Sequence, residues 1–234
     1  RYRFSHVLHR DVLYKGLQAD EREDLHLRYA RQLEEAIDAG DVRLWSAYAT
    51  HIQAAGPEHS SVAIDAWQNA ALQAKKRLAF DDAAACFGRA LASFGEGPKS
   101  DPVARCRLML KQAESRMLAG NSDAGHRICS DAFRIAEAMQ DATLMTDAAL
   151  TWGSSIVVAS VDAGLIGALE ASLKALPTFD LARRAKVQAR LAAARQPARN
   201  PERPMAMARQ AITMARSTGD DELIYAVLRS ATSA

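Results

Sequence analysis

A recurring pair of residues constrains the fold of this chain more than any other feature. In each pair a small residue precedes a larger apolar one, and the pairs begin at Ala90, Ala132, Ser172 and Ala211. The successive separations are 42, 40 and 39 residues. A recurrence with a period of about 40 residues indicates one structural unit that is repeated along the chain.

The stretch from Ala66 to Leu91 shows what that unit is. Two apolar stripes with intervals of three and four residues are separated by a break at residues 80–82, which predicts two helices that fold back on each other. The first stripe contains Ile64, Trp67, Ala71, Ala74 and Leu78, and the second contains Ala83, Phe87, Ala90 and Phe94. Large rings therefore face small residues, and we expect the core of the repeat to contain Trp67, Ala71, Ala83, Phe87, Ala90 and Ala132.

Composition supports an all-α class. Of the 234 residues only 6% are aromatic, and alanine supplies much of the apolar fraction, which favours close contact between helices. No run of about 18 apolar residues is present, so no membrane-spanning helix is expected. Cys86, Cys106 and Cys129 are widely separated and lie among apolar helical positions, which favours reduced core thiols and a cytoplasmic protein.

The hairpin pattern resembles a tetratricopeptide repeat. This resemblance implies an all-α, right-handed superhelix of TPR-like helical hairpins with a period of about 40 residues. We expect an N-terminal part over residues 1–57 and a repeat array over residues 58–234. A further resemblance, given below, implies that the N-terminal part is the end of a winged-helix segment with linking helices. The predicted hairpins lie near residues 62–95, 103–139, 142–176 and 180–218, with a partial fifth from residue 221.

The N-terminal part also contains a helix signal. Asp20 and Glu23 have the spacing of a capping box, which predicts a helix that begins at Asp20. Leu25, Tyr29, Leu33 and Ile37 follow at helical intervals and are expected to form its buried stripe.

A second resemblance covers the start of the chain. The pattern comprises Phe4, His6, Arg10, Asp11, Tyr14, Leu17, Leu25, His26, Ala30, Leu33, Glu34, His51, Ala55 and Gly56. It is similar to the region that follows the nucleotide-binding module in large bacterial signal-transduction ATPases, including LuxR-family and maltose-activator-like transcriptional regulators and adenylate-cyclase-fused relatives. The resemblance implies a sensor or protein-interaction region that relays the binding of a partner or effector to a neighbouring ATPase and DNA-binding module.

No motif that supports catalysis is found in the sequence. A Walker-type phosphate loop, a nucleophile elbow, a zinc-protease motif and a calcium loop are all absent. His6 and His9 lie three residues apart, but no further ligand at a fixed spacing supports a metal site. We therefore expect no enzyme activity and no cofactor in this chain.

A binding surface is the more concrete functional prediction. The first helices of stacked repeats line the concave face, and a mixed polar and apolar groove there suits a peptide or a partner helix. The predicted groove residues are Gln68, Leu72, Lys75, Lys76, Arg107, Leu110, Glu114 and Met117. The alternative is that Leu110 and Met117 are core residues and that the lysines are solvated.

Basic residues are concentrated between Leu181 and Arg216, although the net charge of the whole chain is only +2. The members of this stretch are Arg183, Arg184, Lys186, Arg190, Arg195, Arg199, Arg203, Arg209 and Arg216. Such a stretch can meet a nucleic acid or an acidic partner, or it can consist of solvated arginines that cover alanine-rich helices. The solvated alternative is favoured because no aromatic residues are interleaved to stack on bases. We expect no direct nucleic-acid binding, because the resemblance to the signal-transduction ATPases implies that DNA recognition belongs to a separate helix-turn-helix.

Two other functions stay open from the sequence. A homo-oligomerisation scaffold fits the repeat pattern as well as a sensor of a protein, peptide or small effector does. A small-molecule enzyme would need a site assembled from scattered residues.

Overall fold

The computed structural model describes residues 7–95, 101–154 and 161–232, with side chains from residue 11 onward. These residues form twelve α-helices and two short 3₁₀ helices, and no β-strand occurs among them. The all-α prediction is confirmed. Of the helices in the described ranges, none is both long enough and apolar enough to cross a membrane.

The chain divides into two compact units, Arg1–Ser100 and Asp101–Ala234. The helices of the first unit are α1 (Val7–Gly16), α2 (Ala19–Asp38), α3 (Trp45–Ala54), α4 (Ser60–Lys76) and α5 (Phe80–Ala92). Those of the second unit are α6 (Pro102–Leu118), α7 (Ser122–Ala138), α8 (Ala142–Trp152), α9 (Ala163–Ala175), α10 (Leu181–Ala194), α11 (Glu202–Thr218) and α12 (Asp221–Ala231). The division groups the α4–α5 hairpin with the preceding helices, whereas the sequence pattern grouped it with the later repeats.

In the first unit, α2 packs on α3, α3 on α4 and α4 on α5. Trp67 and Phe87 are each 1% exposed, and they are surrounded by the buried alanines Ala71, Ala83 and Ala90. The bulky-into-small packing that the sequence predicted therefore describes this core. Phe80 opens α5, and Asp81 and Asp82 lie in its first turn, where negative charge is favoured by the helix dipole.

Two details of the first unit differ from the predictions. The α2 helix begins at Ala19 with Gln18 as its N-cap, and Glu21 accepts a hydrogen bond of 2.9 Å from the Gln18 backbone N–H, so the capping pair lies two residues before the predicted one. On the predicted buried stripe, Leu25 and Tyr29 are exposed by 45% and 47%. The buried face of α2 is instead centred on Ala30, Leu33 and Ile37.

The stripe of α4 also ends earlier than predicted. Leu78 is exposed because α4 ends at Lys76 and Leu78 takes a left-handed backbone conformation with φ of 60°. It belongs to the turn into α5, so its helical spacing from Trp67 carries no packing role.

The second unit repeats one local device at its helix starts. Asp101, Asp141, Asp162, Asp180 and Asp220 each accept a hydrogen bond from a backbone N–H in the first turn of α6, α8, α9, α10 and α12, respectively. Side-chain caps of this kind satisfy amides that have no partner within the helix. They set the first residues of these helices, and α6, α8, α10 and α12 begin within one residue of the hairpin starts at 103, 142, 180 and 221.

Packing in the second unit follows the order of the helices. The pairs α6–α7, α8–α9 and α10–α11 form antiparallel neighbours, and α12 packs on α10 and α11. One buried cluster runs from Cys106 and Cys129 through Leu144 and Leu169 to Leu191, and a second joins α10, α11 and α12. Pro204 lies buried inside α11, which begins at Glu202, so this proline is accommodated within the first turn.

Candidate functional site

The first helices of the three hairpins in the second unit form one layer. Helix α6 packs against α8, and α8 packs against α10, while α7, α9 and α11 cover their other side. Residues on the uncovered face of this layer are therefore the candidates for binding. Their positions can be compared directly, because α6, α8 and α10 all begin after an aspartate N-cap.

A groove of about 380 Å³ lies between α6 and α8. Its lining consists of Leu110, Lys111 and Glu114 from α6 and Leu150, Thr151 and Ser154 from α8. Leu110 and Leu150 also contact the core, so the floor of the groove is apolar while its rim is polar. Such a lining can contact an apolar side chain at its floor and polar groups at its rim.

Charges of both signs lie beside the groove. The pKa of Asp147 on α8 is raised, since the surrounding helices shield its carboxylate from solvent. Arg183, Arg107 and Lys186 are close enough to oppose this rise. Asp147 is therefore a carboxylate held between basic residues of α6 and α10, and its charge offsets part of theirs.

Arg190 on α10 is the most constrained cation of this face. Its side chain crosses Gly153, the C-cap of α8, where a Cβ atom would lie 2.5 Å from the arginine Nε. A larger residue at position 153 would require the Arg190 side chain to shift. The Nε–H of Arg190 is buried and has no hydrogen-bond acceptor in the described part of the chain.

Three other arginines of the basic stretch make contacts within the protein. Arg183 pairs with Asp180 at 2.8 Å, and Arg195 pairs with Glu170 at 2.6 Å. Arg184 donates to the backbone carbonyls of Leu173 and Leu176, each at 3.0 Å, and so satisfies the C-terminal end of α9. Arg184 and Arg195 therefore connect α10 to α9, and Arg183 pairs locally with the N-cap residue of α10.

The predicted groove residues fall into two sets that belong to different units. In the first unit Gln68 lies 3.4 Å from Asp65 in a local hydrogen bond, Leu72 is 46% exposed, Lys75 is half-buried and Lys76 is exposed, all on α4. In the second unit Leu110 and Glu114 line the groove, and Arg107 lies beside it.

Met117 has a different environment from the other predicted groove residues. It packs on α7, because a Cβ atom at Gly125 would lie 2.4 Å from the Met117 Cγ. This contact matches the core alternative that the sequence left open for Met117.

The groove lining also contains four residues that were not predicted from the sequence, namely Lys111, Leu150, Thr151 and Ser154. The repeat period contains the missing signal. A shift of 40 residues takes Leu110 to Leu150, Lys111 to Thr151 and Glu114 to Ser154.

Histidines form a separate cluster in the first unit. The Nδ1 atoms of His26 and His51 lie 2.8 Å apart, and the Tyr14 hydroxyl lies 2.8 Å from the His26 Nε2. The Tyr29 ring meets His51 edge-on at 4.6 Å between centroids. Burial lowers the pKa of both histidines, which favours the neutral form of each imidazole. Within the described residues no group of three or more His, Cys, Asp or Glu residues could hold a metal ion.

The cysteines are packing residues in the described part of the chain. Cys106 and Cys129 are fully buried, and Cys86 is half-buried. Burial raises the pKa of Cys129 to about 12, so its thiol stays protonated at neutral pH.

Comparison with known proteins gives the fold and not a family. No model of a known protein family matches this chain, and no curated protein matches it. Among solved structures, a signal-transduction ATPase with numerous domains (STAND) and a tetratricopeptide repeat sensor, from Pyrococcus horikoshii, is similar at 14% identity with a TM-score of 0.54. The match covers 92% of this chain and 37% of that protein, so this chain spans well under half of it.

A second solved structure is similar over nearly its whole length. BtubC (BKLC) from P. vanneervenii shares 14% identity and a TM-score of 0.54, over 93% of this chain and 86% of that one. Identities this low show a shared helical-repeat fold. The TPR-like class that the sequence predicted is thus confirmed.

Proposed function

We propose that this chain is a non-catalytic, TPR-like interaction region, and that the groove between α6 and α8 binds a peptide segment of a protein partner. The observation that carries the proposal is the groove itself, which combines an apolar floor at Leu110 and Leu150 with a polar rim. Repeat folds commonly recognise peptides in such surfaces, because main-chain and side-chain contacts can be made along several helices.

The finer part of the proposal concerns context. By the resemblance of the N-terminal residues, the region belongs to a cytoplasmic bacterial regulator in which partner binding is relayed to a neighbouring ATPase and a DNA-binding module. The fold likeness to a STAND protein with a TPR sensor supports this context. In this proposal the partner acts by favouring one packing arrangement of the repeats over another.

Selection from a phage-displayed library of random short peptides tests the groove. Ser154→Trp is the blocking variant, because Ser154 is exposed and lines the groove. Thr213→Trp is the matched control, since Thr213 is exposed on α11, which lies on the other side of the layer. We expect the wild type and the control to select the same peptides and the blocking variant to lose them.

Two results would count against the proposal. Recovery of the same peptides by Ser154→Trp would place binding elsewhere, and recovery of no peptide by the wild type would remove the peptide-binding function. Sedimentation velocity on the same preparations measures self-association, which the scaffold alternative requires in the absence of any partner.

A further inference from the structure

Arg190 is a cation whose buried donor has no partner. Its Nε–H lies beneath the surface beside Gly153 and finds no acceptor, and the only other buried side-chain donor of this kind within the described ranges is the indole N–H of Trp152, the residue before that glycine. Buried donors are nearly always satisfied in folded proteins, because an unmade hydrogen bond costs about 1–3 kcal/mol. Two such donors at the end of one helix mark this place as unusual.

Among the described residues, no acidic side chain compensates Arg190. Burial alone lowers the pKa of its guanidinium, and no carboxylate opposes that effect. By contrast, Arg183 and Arg195 in the same helical region are paired with Asp180 and Glu170. Within the described residues, these two neighbouring arginines therefore have acceptors, and the Arg190 Nε–H has none.

Repeat register places Arg190 on the groove face. The helices can be aligned on the aspartates that cap them. The tenth residue after the aspartate is Lys111 in α6, Thr151 in α8 and Arg190 in α10. Lys111 and Thr151 line the groove, so the equivalent position in α10 continues the same surface. The contact with Gly153 agrees with this register, because Gly153 immediately precedes Ser154 of the groove lining.

The surroundings of the groove are basic on balance. Arg107, Lys111 and Lys186 accompany Arg190 on this face, against the acidic residues Glu114 and Asp147. An incoming carboxylate would therefore be attracted by the face as a whole, and a neutral or basic peptide would not.

We propose that the peptide bound in this groove is acidic, and that Arg190 binds the carboxylate of one of its Asp or Glu side chains. The inference rests on the proposed function and names the chemistry of the partner. A guanidinium donates from Nε and Nη in a fixed plane, so it can hold a carboxylate by two parallel hydrogen bonds. In the proposed complex the Arg190 side chain turns from Gly153 toward the groove, and its Nε–H, which is buried without an acceptor in the unbound protein, gains one.

The composition of selected peptides tests this inference. In the same library selection, we expect peptides recovered by the wild type to be enriched in Asp and Glu over the starting library, and Arg190→Gln to lose that enrichment. Arg209→Gln is the matched control, because Arg209 is an exposed arginine of α11 outside the groove. For a selected peptide, we expect about a tenfold weaker Kd with Arg190→Gln and an unchanged Kd with the control.

The outcomes separate the two proposals. Peptides that depend on the groove but are not enriched in acidic residues, or that bind Arg190→Gln as well as the wild type, would overturn the acidic-peptide inference and leave the proposed function standing. Recovery of no peptide, or of peptides that Ser154→Trp still binds, would overturn both. Dimers that form with concentration and are lost in Arg190→Gln would place a second copy of this chain in the groove and also overturn the inference.

A second measurement distinguishes binding from a structural role. In NMR spectra of the protein labelled with ¹⁵N-arginine, the Nε–H signal of Arg190 is expected to shift when a selected acidic peptide is added, and the signal of Arg184 is expected to stay. Arg190→Gln is expected to keep or raise the thermal midpoint, since it removes an uncompensated buried charge. A lowered midpoint with an unshifted Nε–H signal would show that Arg190 serves only packing.

Discussion

Replacement of Trp67 tests the central packing argument for the first unit. The side chain is 1% exposed at the α4–α5 contact, so Trp67→Ala removes a large buried ring, and such truncations cost about 3–5 kcal/mol. Two weaker interactions are also lost. The indole N–H donates to the Gln53 side chain at 2.9 Å, and the Arg89 guanidinium lies 4.7 Å from the ring centroid.

The variant Trp67→Phe separates these contributions. It keeps an aromatic ring in the core but lacks the indole N–H, so its cost should be about 1–3 kcal/mol, from the lost hydrogen bond and the unfilled volume. Arg89 is exposed, and its cation–π contribution should be at most about 1 kcal/mol. Trp67→Ala is therefore expected to be clearly less stable than Trp67→Phe.

Urea unfolding followed by circular dichroism measures both free-energy changes, and hydrogen exchange locates them. We expect faster exchange of the α4 and α5 amides in Trp67→Ala. Tyr225→Ala is the control, because Tyr225 is 70% exposed and its removal should change the unfolding free energy by less than about 0.5 kcal/mol. An unchanged urea midpoint for Trp67→Ala would refute the idea that this ring organises the α4–α5 hairpin.

Three further predictions follow from individual contacts. The folded-state pKa of His26 and His51 lies below 6.5, so the unfolded chain binds more protons in mild acid, and the unfolding free energy should fall as the pH decreases from about 6.5. Thermal midpoints across this pH range should show the fall, and a double His→Gln variant with the same pH dependence would contradict it. Gly125→Ala should destabilise by about 1–3 kcal/mol, because the new methyl group meets a methionine and a backbone carbonyl. The matched variant Gly167→Ala, with open space in α9, should stabilise by about 0.5–1 kcal/mol, and equal effects of the two in urea unfolding would be the contrary result. Arg184→Gln should lower the unfolding free energy by about 1–3 kcal/mol through loss of two bonds to helix-end carbonyls, and an unchanged thermal midpoint would show that water replaces them.

The helices could be predicted from the sequence because two independent signals agree. The recurrence near 40 residues sets the spacing of the hairpins, and the aspartate caps set the first residue of most helices in the second unit. The predicted hairpin positions rest on the 40-residue recurrence alone, and the aspartate caps agree with them independently. Where no repeat guides the pattern, as in α2, the capping pair was placed two residues late, because Asp20 with Glu23 and Gln18 with Glu21 have the same spacing.

Periodicity alone did not determine which apolar residues are buried. Leu25 and Tyr29 share the spacing of Leu33 and Ile37, yet the contact face of α2 passes through Ala30 and leaves the first two exposed. A stripe with intervals of three and four residues spans more of the helix surface than one neighbour covers. The packing partner, which the pattern does not contain, decides which part of the stripe is buried.

The groove and the arginines also show which contacts a sequence pattern can predict and which it cannot. Lys111, Thr151 and Arg190 occupy equivalent positions once the helices are aligned on their caps. The residues of the groove face could therefore have been predicted from the repeat period. The roles of the arginines could not be predicted in this way. The partners of Arg184 and Arg195 come from α9, and no local sequence pattern links them to α9. An arginine stretch becomes informative only after the internally paired members are removed. Arg190 is then distinguished by its buried, unpaired donor, and this is the residue at which a partner's charge should matter most.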